Sequence, residues 1–360
     1  LTFIKYSLAA TALSSNDNVS SYLVNTFDVS GEESLPRGLT FNNDGSKMYV
    51  VGENDDDVNE FDLSINFDVS SPTFVQKYSF MTPTQSSNLE NRPTSVKFNN
   101  DGTKMFITGL TSDSIHEYTL STAFDVSTAS FVDSLNVNDK DTSPFGIDFN
   151  NDGTKLYFTG DAGNAIHEYD LSTGFDLSTA SFNQELNVYA QDREPFGIEF
   201  SPDGTRMFIV GTRDNGIDEY VLSTGFDIST ATHVCFLSTR YHDNSGNPSG
   251  IAFSEDGLKM FIVGNNDDTG SNNDRVDEYT LVSPFSLCNA AGNFTGDLVD
   301  STNASSRDTD ADGQTVTVTS VRTGSSEGNG TGGDVASGSS YNSNGTSVTC
   351  LLYTSDAADE

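Results

Sequence analysis

The chain has 360 residues, and 17 Lys and Arg face 53 Asp and Glu, a formal net charge of −36 at pH 7. A field of that sign repels nucleic acid and anionic lipid, and no apolar run is long enough to span a bilayer as a helix. Phe (25) and Tyr (13) are abundant while Trp is absent, and β-branched residues are common, a profile that suits strands.

Residues 1–19 contain "FIKYSLAATAL". This stretch reads either as a strand from a lost upstream repeat or as the remnant of a signal peptide with an Ala10-Thr11-Ala12 cleavage site. Lys5 stands where later repeats carry Glu, which favours the remnant. The next stretch, "SSYLVNTFDVS" (20–30), looks like the last strand of a repeat whose earlier strands are missing.

From Pro36 the chain repeats itself. "PRGLTFNNDGSKMYVVG", "PTSVKFNNDGTKMFITG", "PFGIDFNNDGTKLYFTG", "PFGIEFSPDGTRMFIVG" and "PSGIAFSEDGLKMFIVG" begin at Pro36, Pro93, Pro144, Pro195 and Pro248. The spacing is roughly 50 residues, within the range of propeller repeats. Each copy predicts a short strand A, an Asp-Gly hairpin turn and a strand B ending in Gly. Strand C follows, as in "IHEYTL", then an "FDVS"-type turn and a strand D such as "ASFVDSLNV". Four antiparallel strands per unit describe a propeller blade, because a lone four-stranded sheet of this size cannot bury both faces. The fifth unit lacks a strand D after Leu287, so Tyr22 to Phe27 is expected to pair with its strand C and close the ring.

The repeats resemble YVTN-type propeller units, with their "SPDGxxLYV" core, and still more the "YTLSTPWDISTASY" propeller repeats of bacterial surface proteins. The resemblance runs from Pro36 to Leu287. Phe67, Phe124, Phe175, Phe226 and Phe285 occupy the Trp position of the second pattern. Neither pattern implies a particular ligand.

Antiparallel connectivity puts the A–B and C–D turns on one face of the disc and the B–C and D–A loops on the other. The first face is uniform, with Asp28, Asp68, Asp125, Asp176 and Asp227 placed to accept following backbone N–H groups. The second varies in every repeat, and loops on a rigid scaffold commonly carry function. Its D–A loops supply Arg92, Lys140, Arg193, Arg240, Tyr241 and His242 as the candidate ligand-binding face. No catalytic residue is assigned. His116-Glu117 and His167-Glu168 invite an acid–base reading, but neighbours on a strand point to opposite faces. The Glu recurs five times (Glu60, Glu117, Glu168, Glu219, Glu278), as a structural fixture bonded to a neighbouring blade or to backbone would. Propeller hydrolases draw carboxylates from several blades to the channel mouth; Asp139, Asp141, Asp192, Glu194 and Asp243 are the residues that could mimic them.

Beyond the repeats, "DTDADGQT" spaces Asp308, Asp310 and Asp312 alternately before Gly313, an arrangement of hard oxygen ligands suited to Ca²⁺. The stretch "DTDADGQTVTVTSVRTG" resembles the start of a VCBS or cadherin-like Ig repeat. The final "CLLYTSDAADE" resembles a translated sequencing adaptor and is set aside as a scar. That leaves Cys235 and Cys288, too few to define a disulfide framework.

The sequence therefore predicts an all-β chain: a β-propeller of four-stranded blades, five blade units in all, plus a partial Ig-like β-sandwich. The boundaries are a propeller over 20–287, a linker over 288–305, a partial repeat over 306–349 and the scar over 350–360. The expected function is a non-enzymatic, adhesion-type ligand-binding or scaffold module, monomeric within a longer secreted or cell-surface bacterial protein. It uses Ca²⁺ and takes an extracellular glycan or protein as partner, with neither nucleic acid nor membrane insertion. The alternatives are a propeller hydrolase of the lactonase type, with a metal at the channel mouth, and a purely structural spacer.

Overall fold

The computed structural model describes residues 6–9, 23–80, 90–213, 215–239, 247–265, 274–281, 283–287, 293–296, 320–322 and 332–334. The chain divides into two units, Ser15–Cys288 and a second made of Leu1–Ser14 with Asn289–Glu360. The first strands are β1 (Tyr6–Ala9) and β2 (Leu23–Asp28). Blade 1 holds β3 (Pro36–Phe41), β4 (Lys47–Gly52), β5 (Asp57–Leu63) and β6 (Pro72–Ser79). Blade 2 holds β7 (Pro93–Phe98), β8 (Lys104–Gly109), β9 (Ser114–Leu120) and β10 (Ala129–Asn136). Blade 3 holds β11 (Pro144–Phe149), β12 (Lys155–Gly160), β13 (Ala165–Leu171) and β14 (Ala180–Asn187). Blade 4 holds β15 (Pro195–Phe200), β16 (Arg206–Gly211), β17 (Gly216–Leu222) and β18 (Ala231–Ser238). Blade 5 holds β19 (Asn247–Phe253), β20 (Lys259–Asn265) and β21 (Arg275–Thr280). The second unit contains β1 paired with β22 (Asn293–Gly296), and β23 (Ser320–Arg322) paired with β24 (Gly332–Asp334).

Each blade is a four-stranded antiparallel sheet, and β2 supplies the fourth strand of blade 5. Leu23 lies opposite Tyr279 and Asp28 opposite Arg275. The inner strands β3, β7, β11, β15 and β19 touch in succession, and β19 returns to β3. This is a five-bladed β-propeller whose seam is formed by the N-terminal strand, so neither end of the ring leaves an open sheet edge.

The core lies between blades. Tyr49, Val51 and Val58 of blade 1 pack against Met105, Ile107 and Tyr118 of blade 2. The seam is packed in the same way: Met48, Val50 and Phe61 meet Phe261, Val263 and Val276 of blade 5. The Asp-Gly turns require their glycines, since Gly153 adopts φ +70° and a Cβ there would sit 2.3 Å from the Phe175 ring. Phe175 itself, like Phe67, Phe124, Phe226 and Phe285, has a positive φ between 48° and 60°. That backbone is costly for a bulky residue. Its ring covers the turn glycine and packs 5.2 Å from Phe149, which offsets the strain.

The five strand-C glutamates are buried to 2 % exposure or less; Glu168 binds Lys155 and Gln184 of its own blade, and the other four also bind between blades. Glu60 accepts Lys47 at 2.5 Å and the Val126 N–H of blade 2 at 3.2 Å. Glu117 accepts Lys104 at 2.6 Å and the Leu177 N–H of blade 3 at 3.0 Å. Glu219 pairs with Arg206 and accepts the Leu287 N–H at 2.8 Å. Glu278 accepts Lys259 at 2.7 Å and the Val69 N–H of blade 1 at 3.0 Å, which ties the seam. A second set of bonds holds the carbonyl of the turn Phe in the next blade. Tyr49 and Tyr157 donate to Phe124 O and Phe226 O at 2.6 and 2.5 Å. Where that tyrosine is Phe106 or Phe261, Lys104 and Lys259 donate instead to Phe175 O and Phe67 O, each at 2.6 Å.

Candidate functional site

Strand A places two kinds of residue on the ring axis. Its third position holds Gly38, Ser95, Gly146, Gly197 and Gly250. These backbones nearly touch: a Cβ on Gly146 would lie 2.4 Å from Phe196 O, and one on Gly250 would lie 2.7 Å from Arg37 O. The channel is thus pinched to a waist, with a cavity of about 10 Å³, room for about one water. Gly146→Ala is expected to destabilise the fold by ~1–3 kcal/mol through overpacking against backbone that cannot retreat, measured by urea unfolding. A neutral result would mean that the waist is looser than these approaches indicate.

On the D–A side of the waist, Phe145 and Phe196 stack with centroids 3.8 Å apart. The Arg37 guanidinium lies 5.3 Å from the Phe196 ring centre. Arg37 is held by Glu53 at 2.6 Å.

On the A–B side, the fifth position of strand A carries Thr40, Lys97, Asp148, Glu199 and Ala252. Lys97 on β7 crosses the axis to bond Glu199 on β15, two blades away. Asp148 on β11 stands between them, its Oδ1 3.4 Å from Lys97 Nζ. Asp148 also accepts the Phe149 N–H at 2.9 Å and the Phe200 N–H at 2.8 Å, so its orientation is fixed by backbone. A cavity of about 160 Å³ opens on this side, lined by Lys97 and Asp148, by turn asparagines and by Phe98, Phe124, Phe149 and Phe175; Glu199 lies behind Lys97 and is not part of its wall.

The charges in this cluster are strongly coupled. Burial works to lower the Lys97 ammonium, but the Asp148 and Glu199 carboxylates outweigh it and hold it above the ordinary lysine range. Burial pushes the Glu199 carboxyl up to about 7; Lys97 pulls it back and Asp148 pushes it further up. A carboxyl pushed up to about 7 can exchange protons with a reacting group, and the ammonium beside it can stabilise developing negative charge.

The residues chosen on the variable face are not gathered in this way. Arg92 binds Glu53, with Nε at 3.0 Å. Lys140 lies 3.2 Å from Asp139 and 4.3 Å from the Phe182 ring centre. The Arg193 guanidinium sits 5.0 Å from the Tyr189 ring centre. Among the described residues no contact joins these three. Arg240, Tyr241, His242 and Asp243 lie outside the described residues, as do Asp308, Asp310 and Asp312, the VCBS-like stretch apart from β23 and β24, and the adaptor-like tail.

The other acidic candidates bracket loops. Asp141 accepts the N–H groups of Ser143 at 2.8 Å and Gly163 at 2.7 Å, and Asp192 accepts that of Glu194 at 2.8 Å. Glu33 and Glu90 occupy the same repeat position and accept the Leu35 N–H at 2.9 Å and the Arg92 N–H at 2.7 Å. Glu194 accepts the Thr212 hydroxyl at 2.7 Å. His116 is buried, which lowers its pKa, and its Nε2 lies 2.9 Å from Ser112 Oγ. Among the described residues no group of three or more His, Cys, Asp or Glu side chains could hold a metal ion.

Sequence reasoning passed over Lys97, Asp148 and Glu199. The available signal was that the fifth position of strand A changes charge from blade to blade while its neighbours stay apolar. It also passed over the disulfide in which Cys235 takes part.

Comparison with known proteins gives a partial family match and distant structural similarities. The family model of lactonases with a seven-bladed β-propeller matches residues 14–174, a span that includes Lys97 and Asp148 and stops before Glu199. No curated protein matches the chain. A functionally unknown protein from Desulfotomaculum acetoxidans is similar at 14 % identity and a TM-score of 0.40, over 64 % of this chain and 63 % of its own. This chain therefore spans less than two thirds of that relative. A putative 6-phosphogluconolactonase from Bacteroides uniformis is similar at 12 % identity and a TM-score of 0.44, over 72 % of this chain and 71 % of its own.

Proposed function

We propose that the chain is a hydrolase of the lactonase type whose reaction centre is the Lys97–Asp148–Glu199 cluster on the A–B side of the channel. The observation that carries this reading is the convergence of three ionisable side chains from three successive blades on the channel axis, two of which, Lys97 and Asp148, line the cavity, while Glu199 reaches it through its bond to Lys97. The family match over 14–174 supports the same class. The variable face gives the recognition-module alternative less support, because Arg92 and Lys140 there are already paired with carboxylates. The disulfide at Cys235 supports an oxidising compartment, so the setting we propose is extracellular or cell-surface.

The chemistry follows from the roles available. Glu199, as carboxylate, accepts a proton from a water whose oxygen bonds to the lactone carbonyl carbon. The carbonyl electron pair moves onto oxygen, where the Lys97 ammonium stabilises it. When that pair returns, the ring C–O bond breaks, and the departing alkoxide takes the proton held by Glu199. The product is the open hydroxy acid. Asp148 is a positioning residue: it holds Lys97 from the side opposite Glu199 and is itself held by two backbone N–H groups.

The test is acid release, followed by pH-stat, from a panel of five- and six-membered lactones. Saturable hydrolysis of at least one member is expected. A rate equal to the buffer background across the whole panel would remove the hydrolase reading.

A further inference from the structure

The walls of the cavity decide what kind of lactone fits it. Lys97 is its one basic lining residue, and that ammonium already serves two carboxylates, Glu199 by a direct bond and Asp148 at 3.4 Å. With Glu199 ionised, the trio carries net negative charge.

The turn asparagines extend this pattern. Asn43 donates through Nδ2 to Asn100 O at 2.6 Å, Asn100 to Asn151 O at 2.6 Å, and Asn151 to Pro202 O at 2.7 Å. Because each acceptor is a carbonyl, the amide orientation is fixed, and the side-chain oxygens of these three asparagines have no donor among the described residues. Each is followed by an aspartate: Asp44, Asp101 and Asp152. Their carboxyls turn away from the cavity to accept the N–H groups of Ser46, Thr103 and Thr154 at 3.0 Å, so the polar wall of the cavity is made of the asparagines with Lys97 and Asp148. The remaining wall is aromatic, with Phe98, Phe124, Phe149 and Phe175.

Resting on the hydrolase reading above, we infer that the substrate is an uncharged lactone bearing several hydroxyl groups, and that phosphorylated or carboxylated lactones are rejected. Hydroxyl protons satisfy the asparagine oxygens and the Asp148 carboxylate, and the apolar face of a ring packs on phenylalanine. A phosphate dianion finds acceptors and the Asp148 carboxylate where it needs donors. The putative 6-phosphogluconolactonase similar in fold carries a name that implies the opposite preference.

The experiment compares glucono-δ-lactone with its 6-phosphate by kcat/KM. In parallel, calorimetry measures binding of the non-hydrolysable gluconolactam and of its 6-phosphate to the wild-type chain. Discrimination of about 100-fold in favour of the neutral compound is expected in both assays. Equal or better use of the phosphate would overturn the inference and leave the hydrolase reading standing. Turnover of neither lactone nor of any other member of the panel, with selective binding of the neutral lactam, would remove the hydrolase reading while supporting the preference for a neutral ligand. Neither turnover nor binding would overturn both.

Discussion

Glu199→Gln is expected to lower kcat/KM for lactone hydrolysis by about 100- to 10,000-fold, the range for loss of a general base. Glutamine keeps the shape and can still accept a bond from Lys97, but it cannot take a proton from water. The fold should tolerate it, because the amide removes a charge that sits in a site only 17 % exposed. A melting temperature within a few degrees of wild type therefore separates a chemical loss from a structural one. Lys97→Met is expected to act on kcat more than on KM, since the ammonium is needed most when charge develops on the carbonyl oxygen. A Glu199→Gln variant as active as wild type would place the chemistry elsewhere.

Glu278→Ala is expected to carry the largest cost in stability, ~3–5 kcal/mol in urea unfolding, the range for removing one partner of a buried ion pair. Its carboxylate is 1 % exposed and accepts Lys259 at 2.7 Å. It also accepts the Val69 N–H of blade 1 at 3.0 Å and the amide of Asn25 on β2 at 3.0 Å. One side chain thus binds the closing strand, its own blade and the first blade. Its removal leaves an ammonium and a buried N–H without their acceptor at the one seam that lacks a covalent connection between strands of the same sheet. Glu60→Ala removes the equivalent clip between blades 1 and 2, where Lys47 and Val126 N–H are its partners, and a comparable loss is expected. A cost below about 1 kcal/mol at both positions, the level of an exposed pair, would mean that the clips are solvated in solution.

Much of the fold was legible because the repeat multiplies weak signals. A single "IHEYTLSTAFDVS" could be an acid–base site; five copies, with Glu always present and His replaced by Asn59, Asp218 and Asp277, read as a strand and a turn. The structure gives the physical reason: the Glu faces the neighbouring blade, whereas the His position is a blade-specific filler. The turn phenylalanines were legible as aromatic plugs, but their positive φ was not, because nothing in the composition of "AFDVS" reports left-handed backbone.

The candidate site was nearly invisible for the opposite reason. Repeat logic discounts what varies inside a strand and credits what varies in loops. Thr40, Lys97, Asp148, Glu199 and Ala252 vary inside a strand, and Lys97 meets Glu199 only because the ring brings blades 2 and 4 across a common axis. Arg92, chosen for its loop, is tied to Glu53, a strand-B neighbour whose role emerges only when blades 1 and 2 are adjacent. Cys235 was set aside on counting alone. It sits on β18 opposite Glu219, the same side chain that accepts the Leu287 N–H of blade 5, and sequence distance concealed that closeness.

The central claim is that Glu199 works as a base at neutral pH, and the pH dependence of kcat/KM for a neutral lactone tests it most directly. The working form is the carboxylate, so activity is full above the Glu199 pKa and is lost as pH falls through about 7. The uncatalysed reaction, by contrast, keeps rising with hydroxide and shows no plateau. After that background is subtracted, the wild-type profile should rise to a plateau with its midpoint near 7, and the Glu199→Gln profile should have no inflection there. A wild-type profile that is flat across neutrality, or the same inflection persisting in Glu199→Gln, would contradict the account.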